Sequence, residues 1–424
     1  MLVERLFTKY LKHKNAVLLK FNEFEEFTAP VPEKDGRYLL YIHIPFCEEL
    51  CPYCSFNRFK LEEKLARRYF RALESEIRLY AQKGFNFRSV YVGGGTPTVL
   101  PDEMAGLLTS IRREFDIHEI SLETNPNHLV EQVITKIKQA GVNRLSVGVQ
   151  SFDDGLLKQM ERFHKYGSGA EIRDRLKALM GVFDTLNVDM IFNFPTQTMG
   201  MLEFDLNTIR DIQADQATFY PLMVSDHTRA ELARRFGKIS YDKEKMFYDR
   251  ISDTLESEYS FGTAWCFSRK KSMIDEYVVD YDEYVGVGSG SFGYVNGACF
   301  ANTFSLKDYI ELLESGKLPL MAKRSFKLKD QVNYYLMMKL FSTSIDIDAA
   351  QAKFDGKFLP LLFKELNALQ LYGALTKKDG KITLTRKGRY LWVVMMREFF
   401  TGVNNFRDIC RSAMEYKVSE TQTN

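Results

Sequence analysis

The sequence predicts an α/β protein in which a barrel or partial barrel of six strands precedes a smaller, mostly helical unit. Six strand-like runs alternate with amphipathic helical patterns between residues 37 and 222. Such alternation is typical of parallel strands joined by right-handed helical crossovers. After residue 320 the pattern changes to two helices, a hairpin and a further helix. With 424 residues the chain is long enough for one large domain and a second, smaller one.

The first strand is predicted at residues 37–46 and leads directly into a group of cysteines. An amphipathic helix follows and stops before Gly84, and its apolar positions are Leu65, Tyr69, Leu73, Ile77 and Tyr80. The other five strand-like runs are residues 89–92, 119–123, 144–149, 188–192 and 217–222.

The C-terminal part predicts a winged-helix-like unit. Apolar residues at helical spacing mark helices near 332–340 and 358–369, a hairpin is expected at 373–384, and residues 386–400 turn helical again. Because no basic recognition helix stands out, we expect this unit to cover the substrate rather than to bind DNA. The predicted divisions are an N-terminal helical extension at 1–36, a barrel domain at 37–320, the winged-helix-like domain at 321–417, and a disordered tail at 418–424.

Charge and hydropathy limit the classes of partner. The 58 basic and 56 acidic residues nearly balance, which does not favour a nucleic-acid partner. No apolar run of about 18 residues predicts a membrane-spanning helix, and no signal-peptide pattern is present. We therefore expect a cytoplasmic protein. The basic amphipathic pattern in residues 2–14 could rest on the inner membrane surface, although packing on its own domain is the commoner role for such a helix.

Cys47, Cys51 and Cys54 form a CxxxCxxC motif at the end of the first strand. Three thiolates on one short loop can hold three irons of a [4Fe–4S] cube and leave the fourth iron open. Zinc is the main alternative, but it usually takes four ligands, and His43 in the strand is the only candidate nearby. Six cysteines in all indicate a reducing compartment. We interpret the other three as ordinary free thiols: Cys266, Cys299 and Cys410.

Several glycine and polar residues stand where predicted strands end, which is where barrels of this kind place their chemistry. The run GGGTP at residues 93–97 follows the second strand, and its missing Cβ atoms would let a ligand approach the backbone, although a tight turn needs glycines too. Glu123 ends the third strand and Gln150 follows the fourth. Asp189 lies in the fifth strand among apolar residues, either as a ligand-binding group or as a satisfied structural carboxylate.

Together these motifs resemble the radical S-adenosylmethionine (SAM) superfamily, whose cysteine motif has an aromatic residue before the last cysteine, here Tyr53. The resemblance implies an open barrel of six strands and a [4Fe–4S] cluster. It also implies that SAM binds the open iron and is cleaved to a 5′-deoxyadenosyl radical. An electron-donating protein such as flavodoxin or ferredoxin is the implied partner.

Four runs are similar to one branch of that superfamily: YIHIPFC at 41–47, GGGTP at 93–97, ETNP at 123–126 and AGVNRLSVGVQSF at 140–152. The branch contains oxygen-independent coproporphyrinogen dehydrogenase, haem chaperones and class C radical SAM methyltransferases, and its members can hold two SAM molecules. The resemblance implies that the first SAM is bound by Tyr41, Gly94 and Glu123. It implies that the second is bound by Tyr53, Gly95, Thr96, Gln150, Arg162 and Asp189.

At two places this chain departs from the sequence patterns of other members of the branch, and these departures distinguish between the three subfamilies. The dehydrogenase has a further cysteine two residues after the third cluster cysteine, where this chain has Phe56. The haem chaperones carry His-Asn-x-x-Tyr-Trp before a late glycine segment, whereas residues 272–278 read SMIDEYV and contain no histidine. On these grounds the sequence predicts a radical SAM methyltransferase that uses two SAM molecules to methylate an sp² ring carbon, most closely that of menaquinone at carbon 8.

Two other functional hypotheses stay open as alternatives: oxidative decarboxylation of coproporphyrinogen III, and haem chaperoning. The methyltransferase hypothesis requires a base that removes the ring proton. Tyr220 and His227, near the end of the sixth strand, are the candidates.

Overall fold

The computed structural model describes Thr8 and residues 22–23, 29–34, 36–269 and 281–421, and every structural statement below refers to these residues. Apart from Thr8, the amphipathic helix predicted in residues 2–14 lies outside them. The stretch 272–278, which would correspond to the haem chaperones' histidine element, also lies outside them.

The strands and helices are numbered here along the described chain. The strands are β1 (Asn22–Glu23), β2 (Tyr38–Ile44), β3 (Phe46–Cys47), β4 (Phe59–Lys60), β5 (Phe87–Gly94), β6 (Glu119–Thr124), β7 (Arg144–Gln150), β8 (Thr185–Phe192), β9 (Gln216–Pro221), β10 (Ser260–Phe261), β11 (Cys266–Ser268), β12 (Tyr284–Val287), β13 (Phe292–Val295), β14 (Ala298–Asn302), β15 (Leu320–Ser325), β16 (Ser344–Asp346), β17 (Leu375–Lys378) and β18 (Lys381–Leu384). The helices are α1 (Glu63–Gln82), α2 (Pro101–Glu114), α3 (Glu131–Gln139), α4 (Asp154–Gln159), α5 (Phe163–Tyr166), α6 (Gly169–Ala178), α7 (Met199–Ile212), α8 (Asp226–Phe236), α9 (Tyr241–Leu255), α10 (Leu306–Glu314), α11 (Leu328–Phe341), α12 (Ile347–Lys353), α13 (Phe358–Leu361), α14 (Phe363–Leu371) and α15 (Arg386–Thr421).

Six parallel strands form the centre of the protein in the order β2-β5-β6-β7-β8-β9. They are the six runs that the sequence predicts, and the α/β fold class is confirmed. Helices connect successive strands and pack their apolar faces on the sheet. In α1, for example, Tyr69, Leu73 and Ile77 are buried, and the helix ends ahead of Gly84, whose φ of +90° suits glycine.

The sheet is wider than the sequence predicts, because it has thirteen strands in the described part of the chain. β12 pairs in parallel beside β2 and leads to the antiparallel strands β13, β14, β15 and β1. At the opposite edge β11 and β10 pair antiparallel beside β9. Both edges of the six-stranded unit are therefore covered by further strands of the same sheet, and its outer strands β2 and β9 do not pair with each other.

The C-terminal part contains the predicted helices and hairpin, with three differences. The helix expected near 358–369 is broken into α13 and α14. The boundary predicted between 320 and 321 falls inside β15, a strand of the main sheet. Helix α15 runs to Thr421, past its expected end near residue 400, and the predicted disordered tail from 418 begins inside it. The division into separate domains stays a prediction.

None of the helices within the described ranges is both long and apolar enough to cross a lipid bilayer.

A buried carboxylate joins α1 to the antiparallel part of the sheet. Glu76 is fully buried and accepts hydrogen bonds from Gly288 N (2.8 Å), Asn302 Nδ2 (2.7 Å) and Tyr309 Oη (2.5 Å). These three donors belong to the glycine turn after β12, to β14 and to α10. A buried polar group is stabilised by such partners, and each partner would lose its own bond if the carboxylate were removed.

We expect Glu76→Ala to destabilise the protein by about 3 kcal/mol or more, because it would leave three donors buried without a partner. Urea unfolding followed by circular dichroism measures the change. Glu63→Ala is the control, since Glu63 lies on the same helix with its side chain 61% exposed. Equal unfolding midpoints for the two variants would contradict this role of Glu76.

Candidate functional site

The carboxyl ends of the parallel strands open into one cavity of about 200 Å³. Because parallel strands all end at the same edge of a sheet, residues far apart in sequence meet there. The cavity wall contains the cysteine motif and most of the predicted SAM-binding residues: Cys47, Cys51, Tyr53, Cys54, Gly94, Gly95, Glu123, Gln150, Arg162 and Asp189. Tyr41 and Thr96, the other two, are not in the wall.

The cysteine loop is held mainly through its backbone. Cys47 ends β3, and its carbonyl accepts a hydrogen bond from Leu61 N at 2.8 Å. Cys51 and Cys54 lie on a turn in which Cys54 N donates to Cys51 O at 3.3 Å. The guanidinium of Arg58 donates to the carbonyl oxygens of Cys51 (2.6 Å) and Cys54 (2.8 Å). The loop therefore presents its three thiols to the cavity with its carbonyls occupied elsewhere.

The donor set fits a cluster better than a single ion. No three or more His, Cys, Asp or Glu side chains in the described ranges surround one metal position. In a cube each cysteine binds a different iron, so the three sulfurs stand farther apart than ligands of one ion do. A Cβ on Gly95 would lie 2.9 Å from Cys47 Sγ, so glycine leaves the space beside that sulfur. Burial raises the pKa of the Cys47 thiol to about 11, and iron binding would replace its proton.

His43 and Tyr41 form a fixed pair behind the cysteine loop. His43 Nε2 lies 2.8 Å from Asn57 O, which can only accept, so this nitrogen carries the hydrogen. His43 Nδ1 is then the acceptor for Tyr41 Oη at 3.0 Å. Burial lowers the pKa of His43 to about 4, which keeps the ring neutral. His43 thus supports the loop through Asn57 and is not a metal ligand here.

Two carboxylates line the cavity in different environments. Glu123 accepts from Tyr91 Oη (2.8 Å) and Gly94 N (3.2 Å), which ties it to the glycine run. The pKa of Glu123 is raised to about 7, mainly by burial and secondly by the negative charge of the nearby Asp189. Burial also raises the pKa of Asp189, to about 6. Two neighbours donate to Asp189: Ser146 Oγ (2.6 Å) and Asn187 Nδ2 (2.7 Å). Asp189 is thus both a satisfied buried carboxylate and part of the cavity wall.

Arg162 is buried and is not a solvated surface arginine. Its guanidinium lies 3.6 Å from Cys51 Sγ and 3.4 Å from Tyr53 Oη, and it donates to Gly148 O. It also stacks over the ring of Tyr166 at 4.3 Å. This places a fixed positive charge beside the cysteine loop. The Nε atom of Arg162 is buried and has no hydrogen-bond partner among the described residues.

The remaining predicted residues occupy three kinds of position. Gln150 lies in the wall with φ of +76°, an uncommon backbone conformation for a residue other than glycine. Thr96 is buried beneath the wall and accepts from Asn125 Nδ2 at 2.7 Å. Of the two candidate bases, Tyr220 lines the cavity, whereas His227 is exposed on α8 and is absent from the wall. The structure therefore brings only Tyr220 to the site.

The structure adds wall residues that sequence patterns did not reveal. Phe400 and Asn404 reach the cavity from α15, some 350 residues after the cysteine loop. Asn404 Nδ2 donates to Met223 O at 3.3 Å, which fixes α15 against the segment after β9. Arg58 and Tyr166 also line the cavity. Only Arg58 had a sequence signal, namely its position four residues after Cys54.

Comparisons with known proteins agree with this geometry. The model of the radical SAM superfamily matches residues 41–209. The haem chaperone HemW of Bacillus subtilis (strain 168) is 29% identical over 83% of this chain and 96% of its own length. HemW of Escherichia coli (strain K12) is 31% identical over 60% of this chain and 70% of its own length. The chain belongs to the radical SAM superfamily. The crystal structure of E. coli coproporphyrinogen III oxidase, HemN, aligns with a TM-score of 0.73 over 92% of this chain and 95% of that one, at 23% identity, which supports the fold.

Membership in this superfamily implies a [4Fe–4S] cluster and SAM, and the cysteine loop and cavity fit them. Cys47, Cys51 and Cys54 would hold the cluster, and the surrounding wall would hold SAM. When bound, the cluster supplies the electron that cleaves SAM. That the individual residues predicted above bind SAM stays a prediction.

The prediction of a methyltransferase acting on menaquinone is wrong. The two relatives described above, HemW of B. subtilis and HemW of E. coli, are haem chaperones and not methyltransferases. The prediction relied on two short departures, at Phe56 and at residues 272–278, and these count for less than similarity along most of the chain. With that reaction excluded, the proton-abstracting role assigned to Tyr220 and His227 is withdrawn.

We expect SAM binding to strengthen as pH rises from 6 to 8, because the positive sulfonium of SAM favours ionised Glu123. With a pKa of about 7 in the free protein, the dissociation constant should fall about tenfold across this range. Equilibrium dialysis with reconstituted protein measures it. Glu123→Gln is measured alongside as the control. Because glutamine does not titrate, the pH dependence that remains in this variant reports the titration of SAM itself. An identical pH dependence in the variant would contradict the placement of SAM against Glu123.

Proposed function

We propose that this protein is a haem-carrying radical SAM protein of the HemW type. The observation that carries the proposal is the alignment with B. subtilis HemW over 96% of that protein's length. The same alignment spans 83% of this chain. In this proposal the SAM machinery is retained, and the C-terminal unit forms one side of the haem site.

The chemistry of the wall supports SAM binding as part of this function. Gly94 and Glu123 lie together on one side of the cavity, joined by a hydrogen bond, and we propose that they bind a first SAM with help from Tyr41. Gln150, Arg162 and Asp189 line other parts of the cavity wall, and we propose that they contact a second SAM together with Tyr53, Gly95 and Thr96. Electrons would come from a small donor protein such as flavodoxin or ferredoxin.

Haem iron needs an axial ligand. Residues 272–278 contain no histidine that could be this ligand. Thioether sulfur and phenolate oxygen also bind haem iron. Met223 and Tyr220 line the cavity at the side covered by α15, and both have such groups. We propose that one of them is the axial ligand.

A cation near this end of the cavity suits the haem propionates. Arg407 of α15 is buried, with its guanidinium 5.2 Å from the ring of Phe56 and 5.7 Å from that of Phe292. Its Nη1 donates to Asn404 Oδ1 at 2.8 Å, and Asn404 itself lies in the cavity wall. A guanidinium held in this way can bind a carboxylate through two hydrogen bonds. We propose that Arg407 binds one propionate.

We expect the purified protein to bind one haem per chain, seen as a Soret band in a spectroscopic titration. Met223→Leu or Tyr220→Phe should shift that band, because one of them removes the axial ligand. Met246→Leu is the control, since Met246 is 55% exposed on α9. A titration without a saturable Soret band would contradict haem carriage.

The same preparations distinguish carriage from turnover. Reconstituted protein is incubated with SAM, a reductant and coproporphyrinogen III, and carbon dioxide is measured. Carriage predicts no release. Catalytic release would instead identify an oxidative decarboxylase, despite Phe56 standing where that enzyme has a further cysteine.

A further inference from the structure

Arg58 is joined to the cysteine loop by three hydrogen bonds that involve no other part of the chain. Nη2 donates to Cys51 O at 2.6 Å and to Cys54 O at 2.8 Å, and Nε donates to Cys54 O at 3.2 Å. The two carbonyls belong to two of the three cysteines, and the loop between them contains no helix or strand. One planar guanidinium therefore fixes the turn that separates Cys51 from Cys54.

The third nitrogen of the Arg58 guanidinium, Nη1, makes no hydrogen bond to the cysteine loop. Nη1 is buried without a hydrogen-bond partner among the described residues, and the side chain lines the cavity that contains all three thiols. No carboxylate in the described ranges lies within salt-bridge distance of this guanidinium, unlike that of Arg68, which pairs with Glu314 at 2.5 Å. An uncompensated cation in a cavity wall is costly unless something negative binds next to it.

A three-thiolate cluster would supply that negative charge. Reduction adds one more electron, so a fixed cation nearby stabilises the reduced form, as do hydrogen bonds to cluster sulfur. The same side chain would hold the loop in shape before iron arrives. Both effects follow from contacts of Arg58 and do not depend on which substrate the protein handles.

We propose that Arg58 is a positioning residue for the cluster: it fixes the Cys51–Cys54 turn so that both sulfurs face the cavity, and its charge raises the reduction potential of the bound cluster. The inference rests on the cluster that the proposed function requires, but not on haem carriage. It assigns to Arg58 a role that the CxxxCxxC motif does not include.

Two substitutions separate the two effects. Arg58→Gln removes the charge and can reach only one carbonyl. Arg58→Lys keeps the charge but lacks the planar fork that bonds both carbonyls at once. Arg68→Gln is the matched control, because Arg68 is a surface arginine on α1, away from the cavity. All four full-length proteins are reconstituted anaerobically with iron and sulfide, after far-UV circular dichroism has confirmed their fold.

The readouts are iron retained per chain during a chelator challenge and the midpoint potential from an EPR-monitored reductive titration. We expect both Arg58 variants to lose iron about tenfold faster or more, as is usual when a partner that orients metal ligands is removed. The potential should become more negative in Arg58→Gln and stay near the wild-type value in Arg58→Lys. Arg68→Gln should match the wild type in both.

Iron loss at the wild-type rate in both variants would overturn the positioning role. An unchanged potential in Arg58→Gln would overturn the electrostatic role. A folded Arg58→Gln protein that takes up no cluster supports the positioning role. The midpoint potential of Arg58→Lys then tests the charge effect. A large negative shift of that potential would overturn the charge effect, because lysine keeps the positive charge. Failure of the wild type itself to take up a cluster would refute the cluster assignment rather than the role of Arg58.

Discussion

The candidate site depends above all on the packing of the cysteine loop against its neighbours. A loop without helix or strand has no intrinsic shape, yet three thiols must face one space to hold a cluster. Here the shape comes from outside the loop: Arg58 occupies two carbonyls, His43 bonds to Asn57 O, and Gly95 allows the backbone to approach Cys47. The contacts of Arg58 and His43 replace hydrogen bonds to water that these carbonyls would otherwise make, whereas that of Gly95 is steric.

The surrounding fold supplies what the loop cannot. Parallel strands place Glu123, Gln150 and Asp189 at one edge, so that residues from three strands meet the cysteines in one cavity. Helix α15 then closes the side that the six strands leave open, through Phe400 and Asn404. The strand ends and this helix thus form the wall of one cavity.

Sequence reasoning succeeded where the signal is local. The six strands, the cysteine motif and the glycine run at 93–97 could be found because each is a short pattern with a physical meaning. The edge strands β10 and β11 were missed because two or three residues carry no periodicity. Phe400 and Asn404 were missed because only tertiary packing brings α15 to the cavity. The function was misassigned because two short departures were given more weight than the similarity of the remaining chain.

The central claim is that three cysteines hold a [4Fe–4S] cluster whose fourth iron is open to SAM. Mössbauer spectroscopy of protein reconstituted with ⁵⁷Fe, recorded with and without SAM, tests it most directly. The account expects SAM to change the signal of one iron in four, because only one lacks a cysteine. A spectrum that SAM leaves unchanged, or that shows four equivalent irons in its presence, would contradict the account.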